Sequence, residues 1–256
     1  MPLSLKIRRF ITEYLWILKG QMTALRSQWF WYVVFLSFSP LTYVFFLWIY
    51  GGAQDATTRL YIVTGAVANG TVSSAMLSLG QSIGRLRDQN ALEYYASLPI
   101  RKVSFILALA SRGVILSLPS SAIILVVGTL GLGLPMVLRP ALLVLAYLIG
   151  AYSLAGLGSV IGFCSANSET VSLVTQIVGP LIVLFAPVYV PMNQLPATLQ
   201  ATARFLPTTY VASCFRYAVS GSMGPEYWHS LAVVLAWSLG GLLLSLLGAG
   251  WRGSQE

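Results

Sequence analysis

The chain has 256 residues and a net charge of +8, and 57% of its residues are hydrophobic while only 9% are charged. Soluble globular domains contain about 25% charged residues, so the composition excludes a soluble protein and indicates an all-α polytopic membrane protein. A chain of this length accommodates about six spans of roughly 20 residues with short connections, which leaves no room for a soluble catalytic domain. The cations cluster beside apolar segments, so they indicate membrane topology and not nucleic-acid binding.

Residues 1–29 are predicted to form an amphipathic helix that lies in the membrane interface. Apolar side chains recur at helical spacing from Leu3 to Leu25, while Lys6, Arg9 and Glu13 fall on the opposite face. The alternative is a polar lead-in to the first span. No short apolar core is followed by a small-residue cleavage site, so we predict no cleavable signal peptide.

The remainder, residues 30–256, is predicted to be one domain of six membrane-spanning helices. The apolar stretches that support this prediction occupy residues 30–50, 60–83, 103–130, 141–164, 170–189 and 227–247. In the fourth of them, Gly158 and Gly162 form a G-x-x-x-G pair, which permits close approach of a neighbouring helix.

Several polar side chains lie inside these spans. Asn69 and Ser73 in the second span and Gln176 in the fifth can line a transport path or hydrogen-bond to other helices, and we favour the packing role. Arg112 lies in the third span, although an arginine at mid-bilayer costs several kcal/mol. We expect it to extend to the cytoplasmic headgroups; the alternative is a partner inside the bundle.

A charged segment, residues 85–102, separates the second and third spans. It carries six charged side chains in 18 residues and therefore lies in water, where we expect a short helix that contacts a partner protein. The alternative is a solvated loop. The charged residues are Arg85, Arg87, Asp88, Glu93, Arg101 and Lys102.

The distribution of cations predicts the topology. If the N-terminus is cytoplasmic, ten Lys and Arg residues lie inside, four lie outside and Arg112 lies in a span. Because cytoplasmic segments carry an excess of Lys and Arg, this arrangement favours six spans with both termini in the cytoplasm of a cell (inner or plasma) membrane protein. The ten inside cations are Lys6, Arg8, Arg9, Lys19, Arg26, Arg85, Arg87, Arg101, Lys102 and Arg252.

Residues 191–220, between the fifth and sixth spans, are too interrupted for a span and too apolar for an ordinary loop. Prolines recur in them at 191, 196 and 207. We predict two half-helices, at 195–205 and 209–219, that enter the outer leaflet part of the way, because such segments are tolerated where protein covers their backbone. The alternative is an amphipathic outer loop.

No motif for catalysis is present. The sequence has no G-x-x-x-x-G-K-[ST] loop, no H-E-x-x-H and no metal-spaced cysteine pair, and His229 is its single histidine. No carboxylate lies squarely inside a span, whereas ion-coupled carriers generally use an ionisable group or a broken-helix site in the membrane. We infer that the chain is not an enzyme and that energy for any transport comes from another protein.

Two groups of residues resemble sequence signatures of one family, the membrane subunits of ATP-binding cassette exporters of the type 2 permease class. The first is the Arg-Leu-Arg-Asp of residues 85–88, followed by Leu92-Glu93 and Leu98-Pro99-Ile100-Arg101; Asn90 and Ala91 replace the Gly-Thr that is common there. The second is the series Pro191, Leu195-Pro196, Leu199, Leu206-Pro207, Thr209-Tyr210 and Arg216.

The resemblance implies a transport subunit that pairs with a second permease subunit, identical or related, and with separate ATPase subunits that bind ATP and Mg²⁺; the chain itself holds no cofactor. It implies a coupling helix that contacts the ATPase and an outer gate that helps to release an amphipathic, drug, lipid or glycan-type substrate. The coupling residues would be Arg85, Arg87, Asp88, Glu93, Leu98, Pro99 and Arg101, and the gate residues Pro191, Leu195, Pro196, Pro207, Thr209, Tyr210 and Arg216.

Two rival interpretations remain open at this point. One is an ion-coupled secondary carrier or channel that works without an ATPase, and the other is a membrane scaffold with no cargo.

Overall fold

The computed structural model of the protein describes residues 3–26, 29–50, 55–131, 133, 139–222 and 224–248. Parts of the predicted N-terminal segment (1–2 and 27–28) and the C-terminal residues 249–256, with Arg252, lie outside these ranges. All regular structure in the described ranges is helical. The helices are α1 (Leu3–Leu25), α2 (Trp29–Tyr50), α3 (Ala56–Thr71), α4 (Ser78–Asp88), α5 (Ala91–Ser97), α6 (Lys102–Val126), α7 (Pro140–Cys164), α8 (Ser168–Leu184), α9 (Ala197–Ala203), α10 (Pro207–Ser220) and α11 (Pro225–Gly248).

Three shorter segments complete the backbone. A π-helical segment, Val72–Leu77, joins α3 to α4 without a break, and a second one, Val127–Gly131, follows α6. A 3₁₀ turn, Met192–Gln194, precedes α9.

Five helices in the described residues are long and apolar enough to cross a membrane, which confirms a multi-pass membrane protein. They are α2, the continuous helix Ala56–Asp88, α6, α7 and α11. The predicted fifth span at 170–189 is only partly helical: α8 has 17 residues and ends at Leu184, and residues 185–190 form turns and bends. The six-span arrangement therefore stays a prediction.

The continuous helix Ala56–Asp88 lies at the centre of the bundle. In this helix 83% of the apolar window is buried, against 22% in α11. Its neighbours include α2, α6, α7, α8 and α10. Small residues face it: a Cβ on Gly158 of α7 would overlap the Met76 carbonyl, and one on Gly113 of α6 would lie 3.3 Å from the Ala75 Cα. The prediction of close helix approach at Gly158 agrees with this packing.

The bundle has two distinct ends. At the end that carries α5, hydrogen bonds join the C-terminal ends of α4 and α11 to the C-terminal end of α7 and the N-terminal ends of α6 and α8: α4 bonds to α7 and α8, and α6 bonds to α11. At the α10 end, α9 and α10 lie beside the end of α8 and the starts of α3, α7 and α11. Since α8 begins at the first end and finishes at the second, it carries the chain along the bundle.

Candidate functional site

The charged segment 85–102 is not one helix. Arg85, Arg87 and Asp88 belong to the last turn of α4, and α5 covers only Ala91–Ser97. Between them Asn90 has φ 55°, which stops the first helix. Asparagine is among the few residues that tolerate this left-handed conformation. Asn90 therefore ends α4 in a conformation for which glycine is usually required.

Helix α5 has an inward and an outward face. Leu92 and Tyr95 pack against the core, and the Tyr95 ring lies 4.8 Å from the Phe105 ring between centroids. Glu93 and Tyr94 face outward, and 63% of Tyr94 is exposed. Tyrosine is enriched at protein interfaces and among the residues that contribute most to binding. The sequence analysis selected Glu93 but missed Tyr94, whose signal was its position opposite Leu92 and Tyr95 on a short helix.

Arg87 and Asp88 make bonds within the chain. An Arg87 guanidinium N–H donates to the Phe163 carbonyl at 2.8 Å, which satisfies a carbonyl in the last turn of α7. The Asp88 carboxylate accepts from the Ser168 backbone N–H at 3.2 Å and from the Ser168 hydroxyl, at the start of α8. A carboxylate is favourable at a helix N-terminus. These bonds hold the α7–α8 turn against α4, and a contact of Arg87 or Asp88 with a partner stays a prediction.

The remaining predicted coupling residues lie around α5. Arg85 and Pro99 are exposed, whereas Leu98 and Arg101 are half-buried. The backbone of Pro99 and Arg101 contacts α1: an Arg9 guanidinium N–H donates to the Pro99 carbonyl at 2.9 Å, and the Arg101 N–H donates to the Glu13 carboxylate at 3.1 Å. The amphipathic helix therefore holds the link between α5 and α6 in place.

Glu13 is the central residue of this contact, and the sequence analysis did not select it. Its carboxylate accepts from the Arg9 guanidinium at 2.8 Å, the Arg101 N–H and the Ser104 hydroxyl, the last at 3.3 Å. It caps the N-terminus of α6, where backbone N–H groups have no partner in their own helix. The only sequence signal was a carboxylate on the polar face of α1, which gives no hint of the distant contact.

We expect Glu13→Ala to loosen the link between α5 and α6, because the substitution removes the acceptor for the Arg101 N–H. Loss of a helix cap costs about 1–2 kcal/mol, which corresponds to a rise of roughly 5–30-fold in local opening. Hydrogen exchange of the amides at 98–104 measures this change. Thr12→Ala is the matched control, because the Thr12 hydroxyl bonds only within α1. Equal exchange in the two variants would contradict the capping role.

Arg112 also contacts α1. Its guanidinium donates to the Gln21 side-chain oxygen at 3.0 Å. This contact gives Arg112 a partner within the chain, and its extension to the headgroups stays a prediction. The contact forms because α1 lies directly over this part of α6 and provides an acceptor.

Arg216 holds the α10 end together. Its guanidinium donates to the carbonyls of Pro187 and Val188, the latter at 3.3 Å, and it lies over the Tyr61 ring at 4.1 Å. It thereby joins α10 to α3 and to the segment that follows α8.

The other predicted gate residues surround the same segment. The Thr209 hydroxyl donates to the Ala203 carbonyl at 2.6 Å, and the Tyr210 hydroxyl donates to the Arg204 carbonyl at 2.8 Å, so both fix α9 to α10. Pro207 is buried at the first position of α10, where proline fits a helix start. Pro191, Leu195 and Pro196 flank the 3₁₀ turn. The first half-helix, Ala197–Ala203, is shorter than predicted, and the second, Pro207–Ser220, is longer. Their depth in a membrane stays a prediction.

One titratable group at this end has a shifted pKa. Burial, and then the hydrogen bond to the Glu226 carboxylate, raise the pKa of Tyr217 to about 12. The phenol is therefore protonated at neutral pH and donates to Glu226 at 2.5 Å.

The polar residues proposed for a path or for packing lie in different surroundings. Asn69 is buried in α3 and Ser73 is half-buried in the π-helical segment. Gln176 is exposed on α8, where its amide donates to Ser172 at 2.8 Å. A cavity of about 290 Å³ lies between α6, α7 and α11, and none of these three side chains lines it.

No group of three or more His, Cys, Asp or Glu residues that could hold a metal occurs in the described ranges. Cys164 is exposed, Cys214 is buried, and both are free thiols.

A comparison with curated proteins finds no match. A comparison with protein families finds one described as ABC-2 family transporter protein, which matches residues 50–247. The matched region is more than half of the chain and includes α5, the Arg216 contacts and every helix from α3 to α10. The chain therefore belongs to the ABC-2 family of transporter proteins.

Proposed function

We propose that the chain is the permease half of an ATP-driven exporter. Two such subunits form the translocation path, and cytoplasmic ATPase subunits, which bind ATP and Mg²⁺, drive it. The α5 end lies in the cytoplasm, because Arg85, Arg87, Arg101 and Lys102 flank α5 and cytoplasmic segments carry an excess of Lys and Arg. Helix α8 with residues 185–190 is the fifth of six spans, and α9 and α10 form a gate in the outer leaflet.

The observation that carries this proposal is the two-sided character of α5. Its inner face packs against α6 through Tyr95 and Phe105, and its outer face presents Glu93 and Tyr94. Both of its flanks are fixed, through Asp88 to α8 and through Glu13 to α1. A force on the outer face would move several spans together, as a shear or hinge transition requires.

Helix α8 supports the pairing of two permease subunits. Its exposed side carries apolar residues in line with Gln176 and Pro180. An amide on a surface that faces only lipid is costly, whereas an interface between helices offers hydrogen-bond partners. The aligned apolar residues are Leu173, Ile177, Leu181 and Leu184.

The cargo is proposed only by class, as an amphipathic, drug, lipid or glycan-type molecule. An ion-coupled carrier is the second candidate function. The described carboxylates argue against it, because they lie in α1, in α5 and at the ends of other helices, and not inside the spans.

The experiment is ATP-driven transport in vesicles that contain this chain and its partner ATPase. We expect the double variant Glu93→Arg/Tyr94→Ala to lower the transport rate at least tenfold, because interface anchors often contribute 2 kcal/mol or more and 1.4 kcal/mol is about tenfold. The matched control is Trp228→Ala, which removes an exposed aromatic ring at the α10 end. Transport driven by an ion gradient without ATP, or equal losses in both variants, would refute the proposal.

A further inference from the structure

We propose that the cavity between α6, α7 and α11 binds a neutral lipophilic alcohol, a small apolar molecule with one hydroxyl group, which enters it from the membrane. The proposal goes beyond the transport function, because it requires only that the chain lies in a membrane and does not depend on an ATPase.

The first argument is the size of the cavity. Its volume of about 290 Å³ is about twice that of a 150 Å³ apolar cavity that binds one benzene molecule, so it accommodates roughly twelve carbon atoms. An α-helix with its side chains is roughly 10–12 Å wide, and the same volume corresponds to only about two of its residues. The cavity therefore fits a small molecule better than a helix of another chain.

The second argument is that three hydroxyl-bearing residues lie at one level of the bundle. Helices α7 and α11 run in the same direction and touch at glycines, since a Cβ on Gly156 would lie 2.9 Å from the Gly241 Cα. Tyr152 and Ser238, which both line the cavity, lie about one turn before these glycines. The Tyr152 hydroxyl bonds to the Ser111 hydroxyl of α6 at 2.7 Å, which brings the third helix to the same level.

This level is close to the middle of the membrane. Ser111, Tyr152 and Ser238 are nine to twelve positions from the ends of α6, α7 and α11 at the α5 end, or about 14–18 Å at 1.5 Å per residue. The hydrocarbon core of a bilayer is about 30 Å thick. A phospholipid presents only methylene groups at this depth, because its polar atoms lie at the headgroups. An acyl chain in the cavity would therefore leave its hydroxyl groups without a partner.

The third argument is the hydrogen-bonding capacity of Tyr152. The Ser111 hydroxyl donates its hydrogen to the Leu107 carbonyl at 2.7 Å. It therefore accepts from Tyr152, and also from Tyr14 of α1 at 2.8 Å. These bonds hold the Tyr152 ring in the wall of the cavity and use its hydrogen, while its phenolic oxygen can still accept a bond.

Ser238 supplies the complementary donor. It is half-buried in the wall of the cavity, and its hydroxyl makes no hydrogen bond to another of the described residues. By contrast, Ser245 on the same helix donates to the Gly241 carbonyl at 2.6 Å. An unpaired hydroxyl away from water is costly. One ligand hydroxyl that accepts from Ser238 and donates to Tyr152 would pair both side chains.

The remainder of the wall indicates a neutral ligand. No charged side chain among the described residues lines the cavity. A ligand with a charge would leave it unpaired in an apolar environment, which is costly. The occupant that fits is therefore an uncharged alcohol.

The test is photolabelling of the full chain in phosphatidylcholine vesicles with a long-chain alcohol that carries a diazirine, followed by mapping of the labelled residues. We expect the label at 148–159 and 235–242. The competitors are 4-hexylphenol and hexylbenzene, which share one carbon skeleton and differ in the hydroxyl group. At equal concentration in the membrane, 4-hexylphenol should compete about threefold or more better, as one hydrogen bond predicts.

Three variants on α11 make the test specific. Ser238→Ala removes the donor, so both competitors should act equally on it. Ser238→Leu also fills the cavity and should lower the labelling of 148–159 at least fivefold. Ala232→Leu is the matched control, because Ala232 is exposed on the same helix and does not line the cavity. It should leave both the labelling and the preference for 4-hexylphenol unchanged.

Equal competition by the two compounds in the parent protein, or a preference that persists in Ser238→Ala, would overturn the proposal. Labelling that neither compound reduces would show that an acyl chain or a partner helix fills the cavity. Labelling spread evenly over the exposed faces of α2 and α11 would show contact with bulk lipid only. Each of these two results would also overturn it.

Discussion

Gly158→Ala is expected to destabilise the bundle by about 3 kcal/mol, at the upper end of the range for overpacked cores. A Cβ at this position would overlap the Met76 carbonyl and lie 2.9 Å from the Met76 Cα. These are backbone atoms of the most buried helix, so no side-chain rotation can relieve the overlap. For a domain of this size the unfolding midpoint should fall by roughly 6–12 °C, as measured by thermal unfolding in detergent.

Gly240→Ala is the matched control. Gly240 lies inside α11, and no atom lies within 4 Å of a Cβ added there. Alanine is favoured over glycine in a helix by about 1 kcal/mol, so this variant should unfold at the same temperature as the parent or higher. If both variants shift the midpoint in the same direction, the close contact of α7 with Met76 is not the cause.

Arg216→Met is expected to loosen the α10 end and to lower the unfolding free energy by about 3 kcal/mol. The substitution keeps an unbranched apolar stem but removes the donors to Pro187 and Val188 and the contact with the Tyr61 ring. Unpaired buried carbonyls cost about 1–3 kcal/mol, and a desolvated cation–π contact contributes up to about 2 kcal/mol. Hydrogen exchange at residues 186–190 should rise before global unfolding.

Arg204→Met controls for the loss of a positive charge at the same end. Arg204 is exposed beyond α9, so its substitution should leave both the midpoint and the exchange at 186–190 unchanged. A rise in exchange in Arg204→Met equal to that in Arg216→Met would show that the charge, and not the described contacts, stabilises this segment.

Hydropathy predicted the membrane helices well, because few structures other than a membrane-spanning helix accommodate a long uninterrupted apolar run. The limits of α2, α7 and α11 lie within two residues of the predicted spans. The prediction was weakest at α8, where the apolar run to residue 189 suggested 20 residues in one helix. The structure ends the helix at Leu184, since residues 185–190 are held against α3 and α10 by Arg216 and pack over Gly65.

The composition of residues 85–102 predicted where the candidate site lies, but it did not predict the contacts of its side chains. The charges of a segment between two spans show that its residues lie in water. They do not show which of its side chains bond to other parts of the same chain. Arg87 and Asp88 bind the α7–α8 turn about 75 to 80 positions away in sequence, and Glu13 binds residues 88 and 91 positions away. Contacts at such separation leave no periodic trace in a sequence. Tyr94 was missed for another reason: its signal was a position opposite Leu92 and Tyr95, and two such residues in a seven-residue helix do not make a reliable hydrophobic pattern.

The central claim is that the outward face of α5 is where an ATPase subunit binds. The most direct measurement is cross-linking in intact membranes with a photoreactive amino acid at position 94, compared with the same probe at position 228. Both native side chains are exposed aromatic rings, at opposite ends of the bundle. The account predicts a cross-link to a nucleotide-binding subunit from position 94 whose yield changes with ATP, and none from position 228. A nucleotide-binding subunit captured equally from both positions, or from neither, would contradict it.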